Sequence, residues 1–285
     1  MSNEVAIAVE GMSLAEAMGI SASAGSKSTL ARVAQVQTAL TVTDKEGDEH
    51  IKVPVGSYKV TMPDGEIVYS KTITIRLFSQ RQQWQRFDSA SNTMHKSLLH
   101  VNLNVDLKDT TGKFNLGRPS GYIKDFASLP EAMKGVIRNV KRVKVMLGMV
   151  SLDKATDEVG NVLKDYNEDM PFVMDVRNNE SIKAMDSSIS QIIAKKLTPI
   201  EHTIKLGNDK RDHQSGVKYA IIVPSLGTKV SYGTGDSDTL RSFLDWVTST
   251  NNYIEGKFDE VSAGSISPEE AAIVGSIVEV KEFEG

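Results

Sequence analysis

The chain contains no cysteine, and that absence removes a disulfide framework, a cysteine-built zinc site and a thiol nucleophile together. An intracellular, cytoplasmic setting is the default expectation. The stretch "MSNEVAIAVEGMSLAEAMGI" lacks the basic start and long apolar run of a secretory signal. Nowhere do about 18 apolar residues run together, as a membrane helix would need, so no membrane partner is expected. Internal repeats and collagen-like, Gln-rich or heptad tracts are missing as well. His50, His95, His100, His202 and His213 are scattered, with no H-E-x-x-H and no carboxylate-rich metal loop beside them. There is no G-x-S-x-G elbow, and carboxylate spacing singles out no acid and base pair. Gly25-Ser26-Lys27-Ser28 has the composition of a phosphate loop, but that motif needs Lys directly after its second glycine and a strand before it. No cofactor, no metal and no catalysis are expected on these grounds.

What the chain does have is an uneven distribution of charge. Its 285 residues carry a formal net charge of -4, yet residues 51–150 hold 16 basic and 7 acidic side chains, a net of +9. The flanks are acidic, with a net of -4 over residues 1–50 and -6 over 251–285. Positive potential concentrated in one region is the footprint of a polyanion partner.

The length suits one large domain or two modest ones, folding without staples. Residues 1–30 read as a flexible leader of small residues, with a short helix around Leu14 to Met18. Residues 31–152 are strand-rich. Pro63-Asp64-Gly65 turns between two β-rich runs, and "SLLHVNLNVDL" puts Leu99, Val101, Leu103, Val105 and Leu107 on one parity of a further strand. After a Gly-rich loop, Ser128 can cap a helix that has Pro130 and Glu131 in its first turn; the strand "VKVMLGMVSL" follows. Antiparallel strands, one inserted helix and a further strand are the order of an OB-like barrel. A β-sandwich with an inserted helix gives much the same pattern. Residues 153–258 alternate strands and helices, an α+β portion packed on the barrel. Residues 259–285 form an acidic C-terminal tail. The fold class expected is therefore α+β.

Within the basic block, "TITIRLFSQRQQWQRFD" sets Ile73, Ile75 and Leu77 on one strand face and Arg76, Phe78, Trp84 and Arg86 on the other. Arg81 lies in the same run. The loop "GKFNLGRPSGYIKD" interleaves Lys113, Arg118 and Lys124 with Phe114 and Tyr122, and the helix end "RNVKRVK" adds Arg138, Lys141 and Arg142. Arginines that hold phosphates beside rings that stack on bases make a single-strand surface. A solvated outer face, with the aromatics plugging the end of a barrel, accounts for the same residues without a ligand.

The runs "FNLGRPSGYIKDFASLP", "VIRNVKRVKVMLGMV" and "VPSLG" resemble a group of replication-module proteins of tailed bacteriophages, single-stranded-DNA-binding proteins with an OB-like core. The resemblance covers roughly residues 50 to 255. It implies a binder of single-stranded DNA with little sequence preference, acting in phage DNA replication or recombination in the host cytoplasm. The acidic end "VEVKEFEG" is similar to tails with which such proteins recruit replication or recombination partners, although Phe283 is not terminal. Homo-oligomers are compatible with all of this. Two rivals belong to other classes: a structural or assembly protein of a virion, and a metal-dependent nucleic-acid enzyme with carboxylates gathered from Asp106, Asp109 and Asp125.

Overall fold

The computed structural model describes residues 29–265 except 44, 46, 165, 167, 213–215 and 217. The expected helix near Leu14, the loop around Lys27 and the tail beyond residue 265 lie outside the described residues. The strands are β1 (Ala31–Gln35), β2 (Leu40–Thr43), β3 (Glu49–Val53), β4 (Tyr58–Thr61), β5 (Ile67–Ser70), β6 (Ile73–Asp88), β7 (Thr93–Lys96), β8 (Lys141–Leu152), β9 (Met170–Val176), β10 (His202–Asp212) and β11 (Lys218–Lys229). The α-helices are α1 (Glu131–Asn139), α2 (Asn179–Ala194) and α3 (Thr234–Ser265). The class is mixed α+β, as expected.

One sheet takes the order β11-β10-β6-β8-β9-β1-β4-β5, with β7 also paired to β6, while β2 and β3 form a separate hairpin. The long strand β6 serves two partners on one edge, β10 near Ile73 and β7 near Asp88, and holds β8 along the other. The two ends of the path, β11 and β5, do not pair, so the sheet is open rather than a closed barrel. It curls strongly nonetheless. The Tyr58 hydroxyl on β4 donates to the Gly207 carbonyl on β10 at 2.7 Å, and Gln37, just past β1, exchanges hydrogen bonds with Ala220 of β11. Strands remote in the ladder are thereby brought face to face.

The curl encloses the main core. Ile73, Ile75, Met146, Phe172, Met174 and Ile204 line its inner face with α2, whose Ile182, Met185, Ile189 and Ile192 recur at helical spacing. Asn178 caps that helix by accepting from the amides of Glu180 and Ser181. On the outer face α3 lays Phe243 and Val247 over Val143, Val145 and Leu147. Phe243 meets Phe78 edge to face at 5.6 Å.

The composition change near residue 152 does not separate two units, because β9, β10 and β11 interleave with earlier strands in the same sheet. The expected tail also begins too early: residues 259–265 complete α3. Ser128 does not cap α1. Pro130 occupies that position, while the amide and hydroxyl of Ser128 bond to Asp125. The expected strand over 97–107 touches the sheet through isolated bridges. There Asn102 accepts from the amide of Asn104 and His100 from that of Asn102, local bonds that compete with a ladder. Leu99, Leu103 and Leu107 are buried, whereas Val101 is 64% exposed.

A single bulge governs the face of everything beyond it. In the β6–β8 pairing Leu77 opposes Gly148 but Ser79 opposes Leu147, so Phe78 is the extra residue. Residues opposite one another in an antiparallel pair share a face. Before the bulge, Arg76 faces α3; after it, Gln80 pairs with the inward Met146 and Trp84 with Arg142. Arg76 and Phe78 therefore stand on the opposite face from Trp84 and Arg86, which corrects the expectation of one shared row. A Cβ at Gly148 would lie 2.1 Å from the Arg76 carbonyl oxygen, so Gly148→Ala must displace backbone. The expected loss is about 1–3 kcal/mol, read as a lowered urea midpoint; an unchanged midpoint would contradict this close approach.

Candidate nucleic-acid interface

The thirteen side chains expected to meet nucleic acid separate into three sets. Arg76, Phe78, Arg81 and Trp84 are spent inside the protein. Arg76 forms a bidentate pair with Asp236 at 2.8 and 2.7 Å and lies 5.2 Å from the Phe78 ring centroid. Arg81 donates to the Ser79 hydroxyl and the Gln80 carbonyl. Trp84 is 9% exposed, packed in a third core with Leu103, Leu107, Leu116 and Val140.

The loop from residue 106 to 118 is held by its own side chains. Asp109, fully buried, accepts from the amides of Thr111 at 2.7 Å and Leu116 at 2.6 Å. Asn115 accepts from the amide of Leu107 and donates to Asp106. These bonds maintain positive φ at Asn115, Leu116 and Gly117, at 54°, 58° and 82°. A buried leucine in the left-handed region costs about 1–2 kcal/mol, strain of the kind that collects at ligand-binding loops. Asp125 caps the turn at Ala127 and Ser128. Asp106, Asp109 and Asp125 thus serve the backbone, and among the described residues no three His, Asp or Glu side chains gather to hold a metal.

The residue delivered by this loop is Arg118. Its guanidinium lies 4.7 Å from the Trp84 ring centroid, close enough for a cation–π contact. Burial alone pushes its pKa down, with no carboxylate raising it. Arg118 Nε and Trp84 Nε1 are both buried donors without a hydrogen-bond partner, an expensive state unless something accepts from them. Arg142 stands opposite Trp84 across the β6–β8 pair. Arg138 sits 5.5 Å from the Phe126 ring, and Tyr122 is 88% exposed. Lys113 and Lys124 are exposed, and Arg86 is half-buried opposite His95. Phe114 leans on Phe258 of α3 at 5.3 Å, with 48% of it exposed. Among the described residues none of Arg86, Lys113, Arg118, Lys124, Arg138 and Arg142 is in an ion pair.

Lys141 points elsewhere, on the same parity as Val143, into a cavity it shares with Arg32 and Arg177. Lys96 belongs to the same neighbourhood. Burial pushes its pKa down, Asp175 opposes that, and Arg32 and Arg177 add to it. Block-wise charge counting misses Arg32 and Arg177 because both sit in acidic spans; the parallel pairing of Arg32 with Val173 brings them together.

No family model, curated protein or solved structure matches the chain. Among the described residues no helix is long and apolar enough to cross a membrane.

Proposed function

We propose that the protein binds single-stranded DNA with little sequence preference, without catalysis, in the phage replication or recombination setting that the sequence resemblance implies. The observation that carries this is Arg118, stacked on Trp84 with a buried, unpartnered Nε and no counter-ion. A phosphate oxygen supplies both the acceptor and the charge it lacks. Arg86, Arg138, Arg142, Lys113 and Lys124 extend the cationic track, and Tyr122 and Phe126 offer rings to unpaired bases. An OB-like core is the finer part of the same proposal. Its support is the shared edge of β6 and the Tyr58–Gly207 contact across the curl, since that fold is itself only partly closed.

Oligo(dT) is expected to bind more tightly than duplex of equal length, because stacking needs accessible base faces. Tyr122→Ala is expected to weaken oligo(dT) by about 1–3 kcal/mol with the melting temperature unchanged. Arg118→Ala is expected to reduce the slope of log affinity against log salt by about 0.7 for one lost phosphate contact. Fluorescence anisotropy at several salt concentrations reads all three. Preference for duplex, or no binding at low salt, refutes the proposal.

A further inference from the structure

A second candidate site lies away from Arg118, at the mouth of the curled sheet. The ends of β1 and β9, the start of β8, the start of β11 and the first turn of α2 surround a cavity of about 750 Å³. That is within the roughly 300–1,000 Å³ typical of small-molecule sites. Behind it lies closed core, with Val33, Met174 and Ile222 each no more than 3% exposed, and its rim is cationic, with Arg32, Lys141 and Arg177 on the outer face of the sheet.

The rim is prepared for an anion. Among the described residues Asp175 is its one carboxylate, and it does not neutralise three cations. Arg177 Nη2 donates to Gln85 Oε1 at 3.0 Å and to Asp175 at 3.4 Å. Gln85 is fixed in turn by donating to Gln83 and Asp175. The guanidinium is thus oriented through one nitrogen, with its remaining N–H groups unengaged by described residues. Glu180, at the start of α2, is occupied by Tyr219 and Arg211. On the inner wall the Gln35 side chain accepts from Gln37 at 3.3 Å, while its Nε2 is buried with no partner.

We infer that the rim of this cavity binds the phosphate monoester of a nucleotide, at Arg32, Lys141 and Arg177. The group has two possible sources, a free mononucleotide or the 5′-phosphorylated end of a strand. The site shares only Lys141 with the residues expected to meet nucleic acid, and it stands independently of the Arg118 face.

Calorimetric titration of the full chain with dTMP and with thymidine tests it. Binding of dTMP is expected, with thymidine at least about tenfold weaker, the worth of one charge-assisted contact. Arg32→Gln combined with Arg177→Gln is expected to weaken dTMP about tenfold or more, whereas Lys229→Ala, exposed at the far end of β11, leaves it unchanged. Should the double variant fail to fold, Lys141→Gln, at an exposed position, is expected to weaken dTMP in the same sense. A strand end as the source predicts that 5′-phosphorylated oligo(dT) outbinds the 5′-hydroxyl form and loses that advantage in the double variant. A free nucleotide as the source predicts equal binding of the two oligonucleotides beside intact dTMP binding. No heat with dTMP, equal affinity for thymidine, or folded rim variants that bind dTMP normally overturns the inference. Loss of 5′-hydroxyl oligo(dT) binding with dTMP binding retained refutes the Arg118 face alone.

Discussion

Arg76→Ala is expected to destabilise the protein by about 3–5 kcal/mol, the cost of leaving a desolvated charge without its partner. The guanidinium takes both oxygens of Asp236 in the first turn of α3, while its Nε donates to the Ile200 carbonyl at 2.5 Å. The paired side chains are each 13% exposed. Asp236 also accepts from the amide of Gly233 at 2.7 Å, so the pair fixes the connection into α3 as well as the helix itself. Asp236→Ala should cost a similar amount. Replacing both partners by apolar residues should cost less than the two single losses together, because no orphan charge remains.

The pair also sets a pH dependence whose sign is defined. Hydrogen bonding from Arg76, first, and the Gly233 amide hold the Asp236 carboxyl below its ordinary range, against the opposing effect of burial. A pKa lower in the folded state means that the stabilisation is fully present above the unfolded value of about 3.9. It is lost as pH falls through the depressed folded value. Urea denaturation of the wild type and Asp236→Asn between pH 7 and pH 3 should show their difference shrinking only in acid. A constant difference throughout would mean that the carboxylate's charge is not what the clamp uses.

Periodicity made most elements of this fold legible. The alternation of Ile73, Ile75 and Leu77 marks β6, the recurrence of Ile182, Met185, Ile189 and Ile192 marks α2, and Pro63-Asp64-Gly65 marks the β4–β5 turn, where Gly65 has φ of +97°. What periodicity conceals is a change of phase. Ile73 to Asp88 looks like one uninterrupted strand and forms one, but the extra residue at Phe78 reverses its faces midway. Nothing in a single sequence distinguishes a bulged phenylalanine from an ordinary one. The glycine that accommodates it, Gly148, is 70 positions away by number. Residues 97–107 fail for a related reason: their odd-numbered apolar side chains fit a strand template, but the intervening His100 and Asn102 side chains accept from backbone amides two residues on instead.

Topology was less legible than elements. A break in composition near residue 152 resembles a domain boundary, yet β9 is wedged between β8 and β1 by an antiparallel and a parallel pairing. Long-range pairing of this kind leaves no local pattern. The candidate site was half visible for the same reason. Exposed Tyr122, Lys113 and Lys124 follow from loop composition, but Arg32 and Arg177 meet only because two strands distant in sequence lie side by side.

Trp84→Ala is expected to cost about 3–5 kcal/mol of stability, the range for truncating a buried large aromatic. The ring is held by Leu103, Leu107, Leu116 and Val140, with Arg118 above it. In a Trp246→Phe background the remaining emission should be blue-shifted, and stacking on a base should not quench it. Trp84→Phe should keep most of the packing and cost less than the alanine variant, while losing the indole N–H beside Arg118. The two roles of this corner then separate experimentally. Truncating the tryptophan removes the platform and the fold with it, whereas Arg118→Ala leaves the platform and weakens binding of oligo(dT). Both effects follow from one geometry, in which a strained loop presses an uncompensated arginine onto a buried ring and leaves the guanidinium edge for a phosphate. A Trp84→Ala protein that melts with the wild type would show that the ring supports neither the loop nor the arginine.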